Sequence, residues 1–411
     1  MSLYTRLDNT SIDVVKGIKN VCAKGEDDFL NNSFPDIYNV ALLYHQKKWQ
    51  AVIEEANKLN ARCGPYIMEI ISYIRCLASY NIHIDKNPHQ FLYNVELLPY
   101  YMQDYFLGLH YYNSNRYEEA YSSFSKARFN LSPFVNERWD YLESSMRGIN
   151  SAISFAELDG LYNKFPEVPL DAFGYSLSDY KTKNTIAHVV GCDSNYFEKF
   201  FLDFLKSFDE TTDGSIDLCV HISNPTDSVH KIIKKLSNRE NIFFSYDNLQ
   251  YKNIKTYFTE TRFILAYHIR NKYDKFVFSD VDIDLKTTYN DFVASNDYDV
   301  YMKKTKAPKI PWRGVDAKFI IVSALDKEKF DIFVGGMVRH FLYTFLPDLN
   351  PNGNRQWWID QYSLAIIADS IRLGRKGYNG INVRYYDPKE IPVIVAEDFN
   401  ISREDFSRRN Q

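Results

Sequence analysis

Cysteine is sparse in this sequence: there are five cysteines among 411 residues, and none of them forms a CxxC pair. An odd number of scattered cysteines favours reduced thiols in a cytoplasm-like compartment over a disulfide framework. No run approaches the roughly 20 apolar residues that a membrane helix needs, and Arg6, Asp8, Asp13 and Lys16 interrupt any apolar stretch near the N-terminus. We therefore predict a cytoplasmic protein without a signal peptide or a membrane span.

A surplus of positive charge is also missing, since the sequence has 49 Lys and Arg residues and 53 Asp and Glu residues. The resulting net charge of −4 gives no reason to expect nucleic acid or an anionic membrane as a partner. The HExxH, GxSxG, P-loop and GxGxxG motifs are absent, which argues against zinc hydrolases, α/β-hydrolases, NTPases and Rossmann oxidoreductases. A chain of this length is expected to form two domains.

Residues 1–155 have a helical pattern, and the segment 101–133 has a specific spacing of small and aromatic residues. This spacing comprises, in order, Leu107, Gly108, Tyr111, Tyr117, Ala120, Phe124, Ala127 and Pro133. It resembles the tetratricopeptide repeat, with a weaker copy at 38–59 and part of a degenerate one at 66–80. The resemblance implies stacked helix pairs whose concave face binds a protein or glycan acceptor, a protein partner or a second copy of the chain. An ordinary helical bundle is the alternative.

The pattern changes in the second half of the chain. Glycine, proline and aspartate interrupt residues 156–183, which we predict to be an ordered connector. From residue 184 to residue 411, strands and helices alternate. The predicted strands are 186–190, 216–222, 242–244 and 276–278, and the predicted helices are 194–208, 229–236 and 258–273. Such alternation predicts a mostly parallel sheet with right-handed crossovers, in which ligands bind at the carboxyl ends of the strands.

Three aspartates follow the last of these strands at alternating positions, Asp280, Asp282 and Asp284. In an extended chain their carboxylates project to one side, where they repel one another unless a cation or solvent neutralises them. Hard oxygen ligands favour Mg²⁺, Mn²⁺ or Ca²⁺. The sequence therefore predicts a divalent-metal site at this strand tip.

Three kinds of protein carry such an acidic tip. Haloacid dehalogenase phosphatases place it after their first strand, whereas these aspartates come about a hundred residues into the domain, and Asp284 occupies the usual Thr/Val position. An EF-hand loop needs a glycine where Leu285 stands, and a helix rather than a strand precedes it. The third kind is the nucleotide-sugar glycosyltransferase, whose DxD motif follows a buried strand in the middle of the domain.

Residues 185–375 resemble the GT-A-fold glycosyltransferases of the glycogenin and lipopolysaccharide galactosyltransferase type. The segment 186–208 resembles the first strand and helix of that fold, which cradle the nucleotide base. The segment 257–263 resembles the segment of that group in which an arginine precedes the helix before DxD, and Arg262 is the matching position. Downstream, Asp360 and Gln361 match an Asp-Gln pair at a helix start. The group usually supplies a late histidine to the metal, but the last histidine here is His340.

The resemblance implies a multidomain protein: an N-terminal tetratricopeptide-like domain followed by a GT-A-like α/β domain with a mostly parallel sheet. It implies an enzyme that uses Mn²⁺ or Mg²⁺ to move a sugar from a nucleotide diphosphate donor, with a UDP-sugar as the preferred donor, to a glycan or protein acceptor. It slightly favours retention of the anomeric configuration. The metal would bind Asp280 and Asp282, with Asp284, Asp398 or water in the place of the histidine, and the catalytic roles would fall to Asp360 and Gln361. The expected donor-binding residues are Asp193, Tyr196, Arg262, Asp280, Gly335 and Gly336.

Three points remain open in the sequence. Gly335 and Gly336 would either let the backbone approach the donor sugar or only mark a turn. A non-enzymatic interaction protein, in which the repeats act and the transferase domain has decayed, is one alternative function. A metal-dependent nucleotidyltransferase is another, since it uses the same metal and phosphates but cleaves between phosphates.

Overall fold

The chain forms two compact units, Met1–Ser154 and Phe155–Gln411. The first is helical and the second is mixed α/β, as the sequence predicts. The computed structural model describes residues 9–59, 65–83, 87–134, 144–168, 175–177, 181–248, 254–304, 310–345, 359–386 and 390–394. Within these ranges no helix has the length and apolar character needed to span a bilayer.

Helices follow one another through the described part of the first unit. They are α1 (Asn9–Lys24), α2 (Asp28–Ser33), α3 (Pro35–His45), α4 (Trp49–Lys58), α5 (Pro65–His83), α6 (Pro88–Glu96), α7 (Tyr100–Asn113), α8 (Tyr117–Phe134) and a 3₁₀ segment, Ser144–Ser151. The stretch 66–80, predicted as part of a degenerate repeat, lies inside the single helix α5.

Helices α7 and α8 pack against each other as a hairpin, joined by a short turn in which Asn115 has φ 59°. A Cβ atom at Gly108 would lie 2.5 Å from the ring of Phe124, so only glycine allows the helices to approach this closely. Ala120 and Ala127 are fully buried on the facing helix. Of the small residues that the spacing singled out, Gly108 therefore lies in the interface between the two helices, and the two alanines lie in the core.

The second unit contains an eight-stranded sheet and a two-stranded one. The strands are β1 (Ser176–Leu177), β2 (Ile186–Asp193), β3 (Ile216–Ser223), β4 (Ile242–Asp247), β5 (Lys275–Ser279), β6 (Asp284–Leu285), β7 (Val300–Lys304), β8 (Val315–Ser323), β9 (Val383–Tyr386) and β10 (Val393–Ile394). The large sheet has the order β1-β4-β3-β2-β5-β8-β7-β9, and β6 pairs with β10. Strands β4, β3, β2 and β5 are parallel, while β8 is antiparallel to both of its neighbours.

Helices alternate with the strands of the second unit. They are α9 (Phe155–Lys164), α10 (Ser194–Thr211), α11 (Asp227–Leu236), α12 (Ile254–His268), α13 (Tyr289–Ala294), α14 (Lys327–Phe330), α15 (Gly336–Phe345) and α16 (Ile359–Arg372). Phenylalanines of α10 pack on one face with Val190 of β2, whereas the next residue, Gly191, faces α12. The predicted helix 258–273 is wrong in its limits, because α12 ends at His268 and Lys327 Nζ caps the following turn at Arg270 O, 2.6 Å away.

The order of the strands reverses at β2. The chain runs from β2 to β3 and β4 on one side, and β5 then joins the other side of β2. In open α/β sheets, ligands bind in the crevice outside the carboxyl ends of the strands at such a switch point. Strand β2 ends at Asp193 and β5 ends at Ser279, directly before Asp280. The acidic tip therefore lies at the position where the topology favours a binding site.

Candidate functional site

The acidic tip keeps the alternation that the sequence predicts. Val281, Ile283 and Leu285 are buried in the core of the second unit, which leaves the intervening aspartates partly exposed. Asp284 begins β6, where its backbone pairs with Ile394 of β10, and Asp398 lies outside the described residues. In the described ranges, no group of three or more His, Cys, Asp or Glu side chains is arranged to hold a metal ion.

Two carboxylates at the tip still fit a hard divalent cation. Mg²⁺ is usually held by one or two carboxylates together with substrate phosphates and water, rather than by a complete protein cage. Mn²⁺ prefers the same carboxylate and water ligands. Asp280 and Asp282 supply the carboxylate part of this donor set.

Arg262 connects the tip to the rest of the site. It lies in α12 with 2% of its surface exposed. One guanidinium nitrogen donates to Asp280 Oδ1. The other donates to Ala317 O at 3.1 Å and lies 3.4 Å from Asp360 Oδ2. The planar fork of arginine suits such a pair of oxygen partners. Three residues predicted from separate segments thus meet at one guanidinium.

Asp360 is the second residue of α16 and is almost fully buried. Its Oδ1 accepts a hydrogen bond from the Gln361 backbone N at 2.8 Å. Burial raises the pKa of Asp360 to about 6, Arg262 opposes this shift, and Asp280 and Asp316 reinforce it. The carboxyl group therefore changes charge just below neutral pH, which suits a residue that transfers a proton. The Gln361 side chain is partly exposed beside it.

Glu260 is a further member of this cluster that the sequence does not reveal. It is fully buried in α12, and burial, reinforced by Asp360, raises the pKa of its carboxyl group well above its usual range. Neither carboxyl oxygen has a hydrogen-bond partner within the described ranges. Because an unpaired buried charge is costly, burial favours the neutral form of Glu260. A glutamate in a helical segment gives no sequence signal of this burial.

Gly191 is a second residue that the sequence does not single out. A Cβ atom at this position of β2 would overlap Thr261 Oγ1 and lie 2.8 Å from the backbone N of Arg262. The missing side chain therefore lets α12 cross β2 closely, and this approach brings Arg262 to the strand tip. Helix–strand contacts of this kind require glycine because the obstacle is backbone, which cannot rotate away.

Replacing Gly191 with alanine is expected to destabilise the second unit by about 1–3 kcal/mol, the usual cost of overpacking a core. It should also displace Arg262 from Asp280. The matched control is Gly160→Ala in α9, where nothing lies within 4 Å of the new Cβ; it should stabilise the helix by up to about 1 kcal/mol. Urea unfolding of both variants tests the expectation, which fails if Gly191→Ala unfolds like the wild type.

Asp193 and Tyr196 lie at the same carboxyl edge of the sheet, at the end of β2. Asp193 caps α10, because its Oδ1 accepts a hydrogen bond from Tyr196 N at 2.7 Å. The Tyr196 ring is 37% exposed and lies 5.1 Å from that of Phe200. Their position next to the crevice is compatible with donor binding, which stays a prediction for both residues.

Gly335 and Gly336 lie in helical backbone, so the turn that the sequence allowed here is not formed. Gly335 ends a π-helical stretch and Gly336 begins α15. A Cβ atom at Gly335 would lie 2.5 Å from Asp331 Oδ1 and 2.7 Å from an Arg339 nitrogen. One at Gly336 would lie 2.6 Å from the Tyr162 hydroxyl. Side-chain ends therefore pack close to both glycines, and their predicted contact with the donor sugar stays untested.

The sequence matches no known protein-family model, and no curated protein is significantly similar to it. The chemistry of the site is therefore the basis for assigning a function. That site combines two partly exposed carboxylates at a topological switch point with a buried arginine and a carboxyl group of raised pKa.

Proposed function

We propose that the second unit is a metal-dependent glycosyltransferase, which moves a sugar from a nucleoside diphosphate donor to a glycan or protein acceptor. The preferred donor in this proposal is a UDP-sugar. The strongest support is the meeting of Arg262, Asp280 and Asp360 at the carboxyl ends of the parallel strands. The same three positions carry the resemblance of the sequence to DxD-type transferases. The topology of the sheet independently favours a ligand at this place.

Each residue has a distinct task in the proposed reaction. Mn²⁺ or Mg²⁺ held by Asp280 and Asp282 would neutralise the charge that develops on the leaving diphosphate. Arg262 orients the Asp280 carboxylate through a charge-assisted hydrogen bond. It also favours the ionised form of Asp360, because its positive charge lowers the pKa of that carboxyl group.

Asp360 provides negative charge on the donor side of the site. Glycosyl transfer passes through an oxocarbenium-like transition state, as glycoside hydrolysis does, so a nearby carboxylate stabilises the developing positive charge. The same carboxylate, with a pKa of about 6, is suited to take a proton from the acceptor hydroxyl. Gln361 offers both a hydrogen-bond donor and an acceptor to the sugar hydroxyls.

For the first unit we propose that its helix pairs form a tetratricopeptide-like stack. The hairpin of α7 and α8 supports this, since Gly108 and Phe124 meet where the repeat spacing predicts a close helix contact. Helices α3 and α4 give similar support, since a turn with Lys47 at φ 58° joins them and the Tyr44 and Trp49 rings lie 5.3 Å apart. Such a stack would bind the acceptor, a protein partner or a second copy of the chain.

A binding experiment tests the proposed metal site. Wild-type protein should bind UDP in the presence of Mn²⁺ and lose that binding when a chelator is added. Asp282→Asn keeps the shape of the side chain but removes its charge, so metal-dependent affinity should fall by about tenfold or more while stability changes little. Asp291→Asn, the same change at an exposed position of α13, serves as the control.

Calorimetry and product analysis give the deciding outcomes. Metal-independent UDP binding that Asp282→Asn retains would exclude the metal site. Asp284→Asn should have a weaker effect, because Asp284 lies in β6 and is not one of the two carboxylates proposed to hold the cation. Free UDP and a transferred or hydrolysed sugar indicate a glycosyltransferase, whereas products cleaved between the phosphates indicate a nucleotidyltransferase. No turnover at all would favour the non-enzymatic alternative.

A further inference from the structure

A relay of hydrogen-bonded, buried polar side chains lies beneath the acidic tip. It joins Tyr289 at the start of α13, His188 in the middle of β2 and Ser279 at the end of β5, all fully buried. The Tyr289 hydroxyl lies 2.6 Å from His188 Nδ1, and His188 Nε2 lies 2.7 Å from Ser279 Oγ. Ser279 Oγ in turn donates to the backbone carbonyl of Asp280 at 2.9 Å. These contacts connect α13 with the first aspartate of the tip.

The hydrogen bonds have a defined direction. Ser279 donates its only hydroxyl proton to Asp280 O, so its oxygen accepts from His188, whose Nε2 must carry a proton. Burial lowers the pKa of His188 to about 3, so the ring is neutral and its Nδ1 carries no proton. Nδ1 therefore accepts from the Tyr289 hydroxyl. Every donor in this relay has one acceptor, and a single tautomer of His188 satisfies all of these hydrogen bonds.

The surroundings hold this arrangement in place. The His188 ring packs edge-on against Phe204 and Phe208 of α10, with centroids 5.3 and 5.9 Å apart. Water is excluded there, so a broken hydrogen bond would leave an unpaired buried group, at a cost of about 1–3 kcal/mol. A fully satisfied polar network in a core specifies one geometry more sharply than apolar packing does.

The relay of hydrogen bonds ends at Asp280, where strand pairing no longer fixes the backbone. Strand β5 is paired on both sides up to Ser279, opposite Val190 and Phe319. Asp280 is the first residue beyond this ladder, so its carbonyl needs another partner, and Ser279 supplies it. Arg262 holds the carboxylate of the same residue. Asp280 is thereby held at both its backbone and its side chain.

We propose that His188 is a positioning residue for the cation-binding tip, acting through Ser279 to fix the backbone of Asp280. Tyr289 is the third member of this relay and sets the tautomer of His188. The relay rests on the proposed function in that the cation and diphosphate are taken as the ligand of the tip. The hydrogen-bond arrangement itself does not depend on that function.

Nitrogen NMR of the histidine side chains in the full chain tests the arrangement directly. The signals of His188, identified by their loss in His188→Gln, should show a protonated Nε2, an unprotonated Nδ1 and no titration between pH 5 and 8. The amide nitrogen of Val281, which reports on the Asp280 carbonyl, should shift in Ser279→Ala and, in the same direction, in Tyr289→Phe. A protonated Nδ1, a titrating ring or an unmoved Val281 signal would overturn the relay.

Binding of Mn²⁺ with UDP tests its positioning role. Ser279→Ala and Tyr289→Phe should each weaken binding, by an amount in the range of about 10–100-fold that loss of a group supporting a metal ligand typically costs. In the Ser279→Ala background, Tyr289→Phe should cause no further loss, because the connection is already cut. The matched control is Tyr386→Phe, which removes another buried hydroxyl, one that donates to Phe319 O at 2.6 Å.

The outcomes separate the two proposals. Tyr386→Phe should lower stability without changing the affinity for Mn²⁺ and UDP. If Tyr289→Phe and Ser279→Ala do only the same, the relay is merely structural and the positioning role is refuted. If wild-type protein does not bind Mn²⁺ with UDP, the proposed function fails and the positioning of a cation site fails with it. The NMR result still decides whether the relay holds Asp280.

Discussion

Asp360→Asn is expected to reduce the turnover of a UDP-sugar donor by about 10²-fold or more, with little change in donor affinity. Asparagine keeps the size of the side chain and an oxygen that can accept the hydrogen bond from Gln361 N. It removes the negative charge that would stabilise the transition state. A contact made mainly in the transition state lowers kcat without much effect on ground-state binding. Release of UDP without an acceptor measures turnover, and calorimetry measures affinity.

The pH profile gives this prediction a second readout. Burial raises the pKa of Asp360 from its ordinary value of 3.8 to about 6. If the ionised carboxylate is required, turnover should fall as pH drops through about 6, and Asp360→Asn should lack this step. The effect on stability has the opposite sign. The folded state holds the proton more tightly than the unfolded state, so this contribution to stability is complete below pH 4 and is lost as pH rises through 6.

A control on the same helix separates charge from general disturbance. Asp369→Asn removes a carboxylate of α16 that pairs with Arg372 at 2.9 Å, and it should leave turnover near that of the wild type. Near wild-type turnover in Asp360→Asn would reduce Asp360 to a charge at a helix start. If Asp360→Asn unfolds, Asp360→Glu, which keeps the charge, serves as the test variant instead. A folded Asp360→Glu variant with undiminished turnover would then contradict a geometrically strict catalytic role.

The secondary structure of the second unit could be predicted well where the apolar pattern is local. The predicted strands 186–190, 216–222, 242–244 and 276–278 all lie within strands of the sheet. The limits of the helices were less predictable: α12 ends at His268, and Lys327 from a distant segment donates to the Arg270 carbonyl in the turn that follows. The predicted connector, 156–183, begins in helix α9, and Arg339 donates to the carbonyls of Phe165 and Pro166 at 2.7 and 3.0 Å. Such contacts leave no periodicity in the sequence.

The candidate site could be predicted in part for the same reason. Asp280 and Arg262 were each singled out as site residues from local motifs, and the structure pairs them. Gly191, Glu260 and His188 were missed, because each matters only through a contact with another segment. A glycine in a strand, a glutamate in a helix and an isolated histidine have common structural explanations. Their roles require the three-dimensional packing of α12 against β2 and of β2 against β5.

Removing Arg262 is expected to have the largest effect on stability. Arg262→Ala should cost about 3–5 kcal/mol, since breaking a buried ion pair leaves its partners uncompensated. The partners are Asp280 and Asp360, with Glu260 in the same cluster. Arg262→Lys keeps the charge but not the fork, so an intermediate loss is expected. The control is Arg239→Ala, which breaks a surface pair with Asp209 and should cost at most about 1 kcal/mol.

The loss caused by Arg262→Ala should depend on pH in a defined direction. Arg262 lowers the pKa of both Asp360 and Glu260, so its removal raises both values further. At pH 5 these carboxyl groups take up protons readily and their burial costs little. At pH 8 they must either stay charged without the neighbouring guanidinium or bind protons at a low proton concentration, so the loss of stability is greater.

Urea unfolding at pH 5 and pH 8 measures this difference, and the variant Arg262→Ala/Glu260→Gln tests its origin. Glutamine cannot ionise, so the double variant should recover part of the stability lost at pH 8 and little of that lost at pH 5. Equal losses at both pH values would mean that Arg262 stabilises the fold by packing rather than by its charge. The carboxyl groups around it would then not depend on the guanidinium for their charge state, and the electrostatic role assigned to Arg262 in catalysis would fall with it.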